Sequence, residues 1–144
     1  MFELFKDLTN FSEPHLNWIK LNNKRYQYIY FNTIIDPLFT ELYNNWHIDG
    51  EKTVPSNISQ LIDPIVLAFW AMGDGGKCGK GFHLNTVAFS TSGVELLVNA
   101  LKINFDLNCS IHSRNRIYIP AKEMLKFKQI VTPHFLNKFK YKLI

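Results

Sequence analysis

One short stretch places a carboxylate where chemistry could use it. Leu67-Ala68-Phe69-Trp70-Ala71-Met72-Gly73-Asp74-Gly75 reads as an apolar helix that ends in Asp74 beside glycines. The dipole disfavours an anion at a helix C-terminus, so a carboxylate held there invites a compensating cation. Ala68, Ala71 and Gly75 are small and fall near helical spacing, as a face needs where two helix backbones approach closely. Taken alone, the nine residues fit a core helix with a solvated turn aspartate equally well.

The elements that must position Asp74 are legible around it. Asp63-Pro64 is an N-cap followed by proline at the first helical position, and the glycines after Met72 stop the helix. Asp36-Pro37 repeats the start signal, with Leu38, Phe39, Leu42, Tyr43 and Trp46 recurring at helical spacing. Lys24–Asn32 and Phe82–Ser90 read as strands, and Cys109–Ile119 as a hairpin turning near Arg114-Asn115. Ser92-Gly93-Val94-Glu95 is a capping box opening a helix through Phe105. A last helix is expected from Ala121 to Val131, ended by Pro133. Residues 47–57 read as a polar turn region, and Met1–Trp18 yields only an early short helix. The order predicts an α+β fold.

Composition narrows the class. With 47% hydrophobic and 15% aromatic residues, the chain can bury a core and is not of the disordered type. Its net charge of +4 suits a polyanionic partner without requiring one. No apolar run reaches the ~18 residues of a membrane span, and Met1–Lys6 leads into no signal-peptide core. Cys78 and Cys109 form no CxxC pair, which argues for a reducing compartment rather than a disulfide framework or zinc knuckle. His15, His47 and His134 are scattered and read as structural or surface residues. Abundant Asn, Ile, Lys, Phe and Tyr suggest an AT-rich coding genome and hence an organelle, the mitochondrion first.

Leu67–Lys77 (LAFWAMGDGGK) resembles the LAGLIDADG motif of group I intron-encoded homing endonucleases. The likeness continues in order: His83-Leu84-Asn85-Thr86, Val94–Val98, Lys102–Cys109, Arg116–Pro120 and Tyr141-Lys142-Leu143. Upstream, Tyr30–Thr33 and Lys52–Pro55 resemble the end of a preceding repeat, giving residues 1–60 as a first-repeat remnant and 61–144 as a complete second repeat. The resemblance implies a saddle-shaped antiparallel sheet backed by helices. It also implies two motif helices packed side by side, each giving one acid to a shared site. Asp74 matches that acid, which holds a divalent metal, Mg²⁺ in most members, and Lys142 and Lys52 match the basic residues that assist the chemistry.

For binding, the resemblance implies reading of the major groove from the saddle. The matching positions are Lys77, Lys80, His83, Asn85 and Thr86 after the motif, then His112, Arg114, Asn115 and Arg116 at the hairpin. Two departures stand out. Gly73 occupies a position where related motifs often have Asp, and the sequence holds one motif, with the first repeat's motif helix and reading hairpin missing. Ala68, Ala71 and Gly75 are then expected to meet a second LAGLIDADG-motif chain, or a second copy of this one. The expected function is one half of a split, Mg²⁺-dependent DNA endonuclease. The alternative is a non-catalytic module that binds structured RNA, as intron maturases do.

Overall fold

The computed structural model describes residues 2–144, the Leu4 side chain excepted. Met1, the first residue of the expected remnant, lies outside the described residues. The chain divides into two units, residues 1–43 and 44–144.

In the first unit, a 3-10 helix at Phe2–Leu8 precedes a hairpin of β1 (His15–Leu21) and β2 (Lys24–Tyr30). The strands pair antiparallel over seven positions, from His15 opposite Tyr30 to Leu21 opposite Lys24. Asn22 and Asn23 make the turn with φ of 47° and 63°, the left-handed pair that a two-residue hairpin loop requires and that Asn tolerates. A hairpin therefore occupies a stretch where only its second strand was expected. Thr33 bridges back to Thr9, whose Oγ1 donates to the Asn32 carbonyl at 2.6 Å. α1 (Pro37–Trp46) begins as its start signal predicts, Asp36 Oδ1 accepting from the Leu38 amide at 2.9 Å.

The second unit holds a continuous core. Asp49-Gly50 turns a small ladder of β3 (His47–Ile48) and β4 (Glu51–Lys52). A one-turn helix, α2 (Ile58–Leu61), follows. Val54 and Ile58, among the residues expected to close the first repeat, are buried with Ile62 in this unit's core. Gly93 explains part of the fit: a β-carbon there would come within 3.0 Å of the Val54 methyl. Asn104 holds the end of α2 by donating to the Ser59 and Ile62 carbonyls at 2.7 and 2.8 Å.

α3 (Pro64–Asp74) starts where Asp63 Oδ1 accepts from the Val66 amide at 2.7 Å. It ends at Asp74, within the glycine-rich stretch expected to stop it. Four antiparallel strands follow in the order β5 (Gly75–Cys78), β6 (Gly81–Leu84), β8 (Arg116–Ile119), β7 (Ser110–His112). β6 ends at Leu84, three residues into the strand expected over Phe82–Ser90, and Phe89 turns back to the Thr86 carbonyl. α4 (Thr91–Phe105) is capped by Ser90, whose Oγ accepts from the Gly93 amide at 3.2 Å. The cap therefore lies two residues before the predicted Ser92 box. α5 (Met124–Val131) follows a 3-10 turn at Ala121–Glu123, and a final 3-10 helix spans Asn137–Leu143.

Register assigns the sheet's two faces. Leu84, Ile117 and Ile111 line up across three strands, and Phe82 sits opposite Ile119. These side chains, all buried except the half-buried Ile111, form the helix-backed face, with the Phe82 and Phe127 ring centroids 5.1 Å apart. His83, Tyr118 and Ser110 form the opposing row, on the open face.

Candidate functional site

Asp74 stands at the end of α3, exposed, with the sheet beginning at the next residue. Its carbonyl accepts from the Asn85 amide at 3.0 Å, which ties the acid-bearing turn to the end of β6. The cation that a helix-end carboxylate invites is present, but it is aimed at the backbone. Lys142 Nζ donates to the carbonyls of Met72 at 2.6 Å and Gly75 at 2.9 Å, and lies 3.4 Å from that of Gly73. It thereby satisfies carbonyls that a helix end leaves orphaned and offsets the negative end of the dipole. The predicted Lys142 is thus beside the acid, as a cap on its helix. Lys52 is exposed in β4, and no hydrogen bond or ion pair joins it to Asp74 or Lys142 among the described residues.

Asp74 opens onto a depression of about 480 Å³. Lys77, His83, Asn85, Arg114 and Arg116 also line it, so five of the nine predicted nucleic-acid residues converge on the acid. Lys80 is apart from them, exposed at the β5–β6 turn beside Gly79 (φ +57°). Lys77 sits opposite Phe82 in the register, on edge strand β5.

The Arg114-Asn115 turn is rigidly held. Both residues have positive φ, 61° and 52°, the pairing that a tight hairpin turn needs. Asn115 Nδ2 donates to the Phe89 carbonyl at 3.3 Å, its Oδ1 accepts from Thr91 Oγ1 at 3.3 Å, and its carbonyl accepts from Thr86 Oγ1. Two expectations are corrected here. Thr86 is buried and Asn115 points its amide inward, so both build the platform rather than read a ligand. Arg114 is left exposed at the turn, and half-buried Arg116 braces against the Ser113 carbonyl at 3.3 Å.

An aromatic cluster on the open face escaped the sequence reading. Tyr118 stacks on His112 with ring centroids 4.3 Å apart, and His83 packs edge-on to both at 5.2 and 5.4 Å. Burial, then Arg116, then His112 lower the His83 pKa below its ordinary value, and its buried Nε2 has no hydrogen-bond partner. The Arg116 cation and the His83 ring share the depression with the Asp74 carboxylate, so it can take an anion beside the acid. The signal for Tyr118 was the alternation Arg116-Ile117-Tyr118-Ile119, which puts Tyr118 on the face opposite two buried isoleucines.

The predicted contact face of α3 is also corrected. Ala68 and Ala71 have 0% exposure, and a β-carbon on Gly75 would meet the Ala71 carbonyl and the Phe82 ring at 2.4 Å. Their smallness admits this chain's own α5 and sheet, so they face inward. The less covered side of α3 carries exposed Val66 and Gly73 with half-buried Phe69 and Trp70, and there is open space around Gly73. An apolar groove of about 260 Å³ runs beside it, lined by Val66, Trp70, Trp46, Leu61 and Phe89, with Asp74 at its margin.

Comparison with known proteins decides the lineage. Residues 1–127 match the LAGLIDADG DNA endonuclease family. The chain belongs to that family. It is 32% identical over 130 residues to the cytochrome b mRNA maturase bI2 of Debaryomyces hansenii, covering 87% of this chain and 50% of that protein. It is 39% identical over 100 residues to a probable intron-encoded endonuclease 1 of Wickerhamomyces canadensis, covering 62% of this chain and 43% of that one. The homing endonuclease I-WcaI bound to its DNA recognition sequence superposes with a TM-score of 0.86 at 29% identity, over 99% of this chain and 68% of that chain. The chain thus spans half or less of these two relatives' length. Among the described residues no helix is long and apolar enough to cross a membrane.

Proposed function

We propose that this LAGLIDADG chain contributes one acid and one DNA-reading sheet to a composite, Mg²⁺-dependent DNA endonuclease site. The observation that carries the reading is the convergence of Asp74 with His83, Asn85, Arg114 and Arg116 on one open depression. DNA laid against the sheet's open face would put phosphates beside the arginines and a strand within reach of the acid.

The donor set fits half of a metal site. Among the described residues no group of three His, Cys, Asp or Glu could hold an ion. Asp74 supplies one hard oxygen ligand, and Mg²⁺ completes its shell from one or two carboxylates, phosphate oxygens and water. Bound there, the ion would activate water and neutralise charge on the phosphate. A second motif helix would bring the second acid by docking on Val66, Phe69, Trp70 and Gly73, whether it comes from another chain, a second copy or another segment of a longer protein. Lys142 fixes the turn that presents Asp74, and Arg114 and Arg116 hold the backbone. We further propose mitochondrial residence, in keeping with the cytochrome b maturase relatives.

Asp74→Asn tests the reading. In a complex that includes the second motif helix, the wild type cuts duplex DNA with Mg²⁺, and the variant binds but does not cut. Cutting that persists in the variant would assign the acid elsewhere. The second reading, an RNA-binding maturase-type module without cleavage, is favoured by the likeness to the bI2 maturase of Debaryomyces hansenii. It predicts no cutting by the wild type under the same conditions.

A further inference from the structure

The chain's densest excess of positive charge lies in its last residues, beyond the four-stranded sheet. Residues 121–144 carry six lysines and a single acid, Glu123, for a net of +5; the whole chain nets +4, so residues 1–120 net −1. Glu123 is buried and accepts from Asn108 Nδ2 at 3.1 Å. Two of the six lysines are engaged: Lys126 with Asp106 at 2.7 Å, and Lys142 with the end of α3. Among the described residues, no ion pair engages Lys122, Lys128, Lys138 or Lys140.

These lysines lie on two elements: α5 with its preceding turn, and the final 3-10 helix, which packs beside β5 and the end of α3. Phe127 pins α5 against Phe82 on the helix-backed face. The outer side of α5, with Lys122, Gln129 and the 72%-exposed Leu125 at helical spacing, therefore looks away from the open face. The final 3-10 helix interleaves charge and rings as Lys138-Phe139-Lys140-Tyr141-Lys142. Phe139 packs against the core, while Tyr141 is 65% exposed. Three residues per turn set Lys138 and Tyr141 on one line. Ammonium beside an exposed ring suits a polyanion with unstacked bases, charge meeting phosphate and ring meeting base. Duplex DNA keeps its bases stacked, whereas RNA loops and single strands present them.

We propose that the lysine–aromatic C-terminal segment, with the outer side of α5, is a second nucleic-acid surface that takes RNA bearing unpaired bases. It deepens the RNA-binding reading above and rests on that reading for its ligand. The test titrates the full chain with a DNA duplex and with an RNA hairpin carrying a single-stranded tail. Tyr141→Ala and Lys138→Gln/Lys140→Gln should each weaken RNA binding about ten-fold and leave duplex affinity within about two-fold. The lysine pair should also flatten the RNA salt slope by about 1.4. Arg114→Ala/Arg116→Ala should do the reverse, weakening the duplex and sparing the RNA. Equal loss for both probes from the C-terminal variants, or RNA affinity that ignores them, overturns the proposal. RNA loss confined to the arginine variants would instead leave the RNA reading standing on the sheet face. Lys122→Gln, exposed on a different element, carries the test should a C-terminal variant fail to fold.

Discussion

The β1–β2 hairpin and the four-stranded sheet are built from similar residues and end in opposite states. In the sheet, one row of side chains is sealed under helices, and the other row is free to hold His83, Tyr118 and Arg116. In the hairpin, every β1 residue is exposed, and Leu16, Trp18, Ile19, Tyr26, Tyr28 and Ile29 all face solvent. Isolated two-stranded hairpins are marginal in water, and so much exposed apolar surface marks an interaction surface. The lesson is that a reading face depends on the buried face behind it. The sheet has its own support, and the hairpin's support must come from what covers it.

Mutations can sharpen that contrast, the largest effect coming from the sheet's sealed side. Phe82→Ala should lower unfolding free energy by about 3–5 kcal/mol, through lost burial and the cavity left against Phe127. Trp18→Ala, on the hairpin, should change it by no more than about 0.5 kcal/mol in the isolated chain, although Trp is the larger side chain. Denaturant titration measures both, and comparable losses would show that the hairpin has a core of its own.

Two glycines of the motif should separate next. Gly75→Ala forces a methyl into the Ala71 carbonyl and the Phe82 ring, an overpacking of about 1–3 kcal/mol. Gly73→Ala meets nothing within 4 Å inside a helix and should stabilise the chain by about 0.4–1 kcal/mol. That same methyl would stand on the less covered side of α3, so Gly73→Ala should impair assembly with a second motif helix while raising the melting temperature. Of similar size is Asp63→Ala, which removes the cap on the Val66 amide and should cost about 1 kcal/mol.

What the sequence revealed follows the range of each interaction. Asp36-Pro37 and Asp63-Pro64 were legible because capping involves residues two or three apart. Asp74 was legible through its motif, and the Arg114-Asn115 turn through its flanking alternation. Ala68 and Ala71 were assigned to the wrong side because helical spacing groups residues by face without saying which face the chain itself covers. Lys142 was placed near the acid, but its engagement with carbonyls 67 to 70 residues away has no local signature. Tyr118 was missed since its partners arrive from two other strands. The hairpin had a local signal, Asn22-Asn23 between alternating residues, which the sequence reading passed over.

The smallest predicted effect concerns His83, at the centre of the sheet's open face. Its pKa lies below the ordinary value of 6.5, chiefly through burial and then through Arg116 and His112. The folded state therefore favours the neutral ring. The sign follows: the stabilising contribution is present above pH 6.5 and is lost as pH falls below it, because the unfolded chain takes up the proton more readily. His83→Gln should flatten the decline in melting temperature between about pH 7 and 5 relative to the wild type. Bound nucleic acid should oppose the shift, since phosphate near Arg116 favours the imidazolium. Duplex affinity should then rise as pH falls from 7.5 to 6 in the wild type and stay level in His83→Gln. Parallel pH profiles for wild type and variant, in both stability and binding, would remove His83 from the interface.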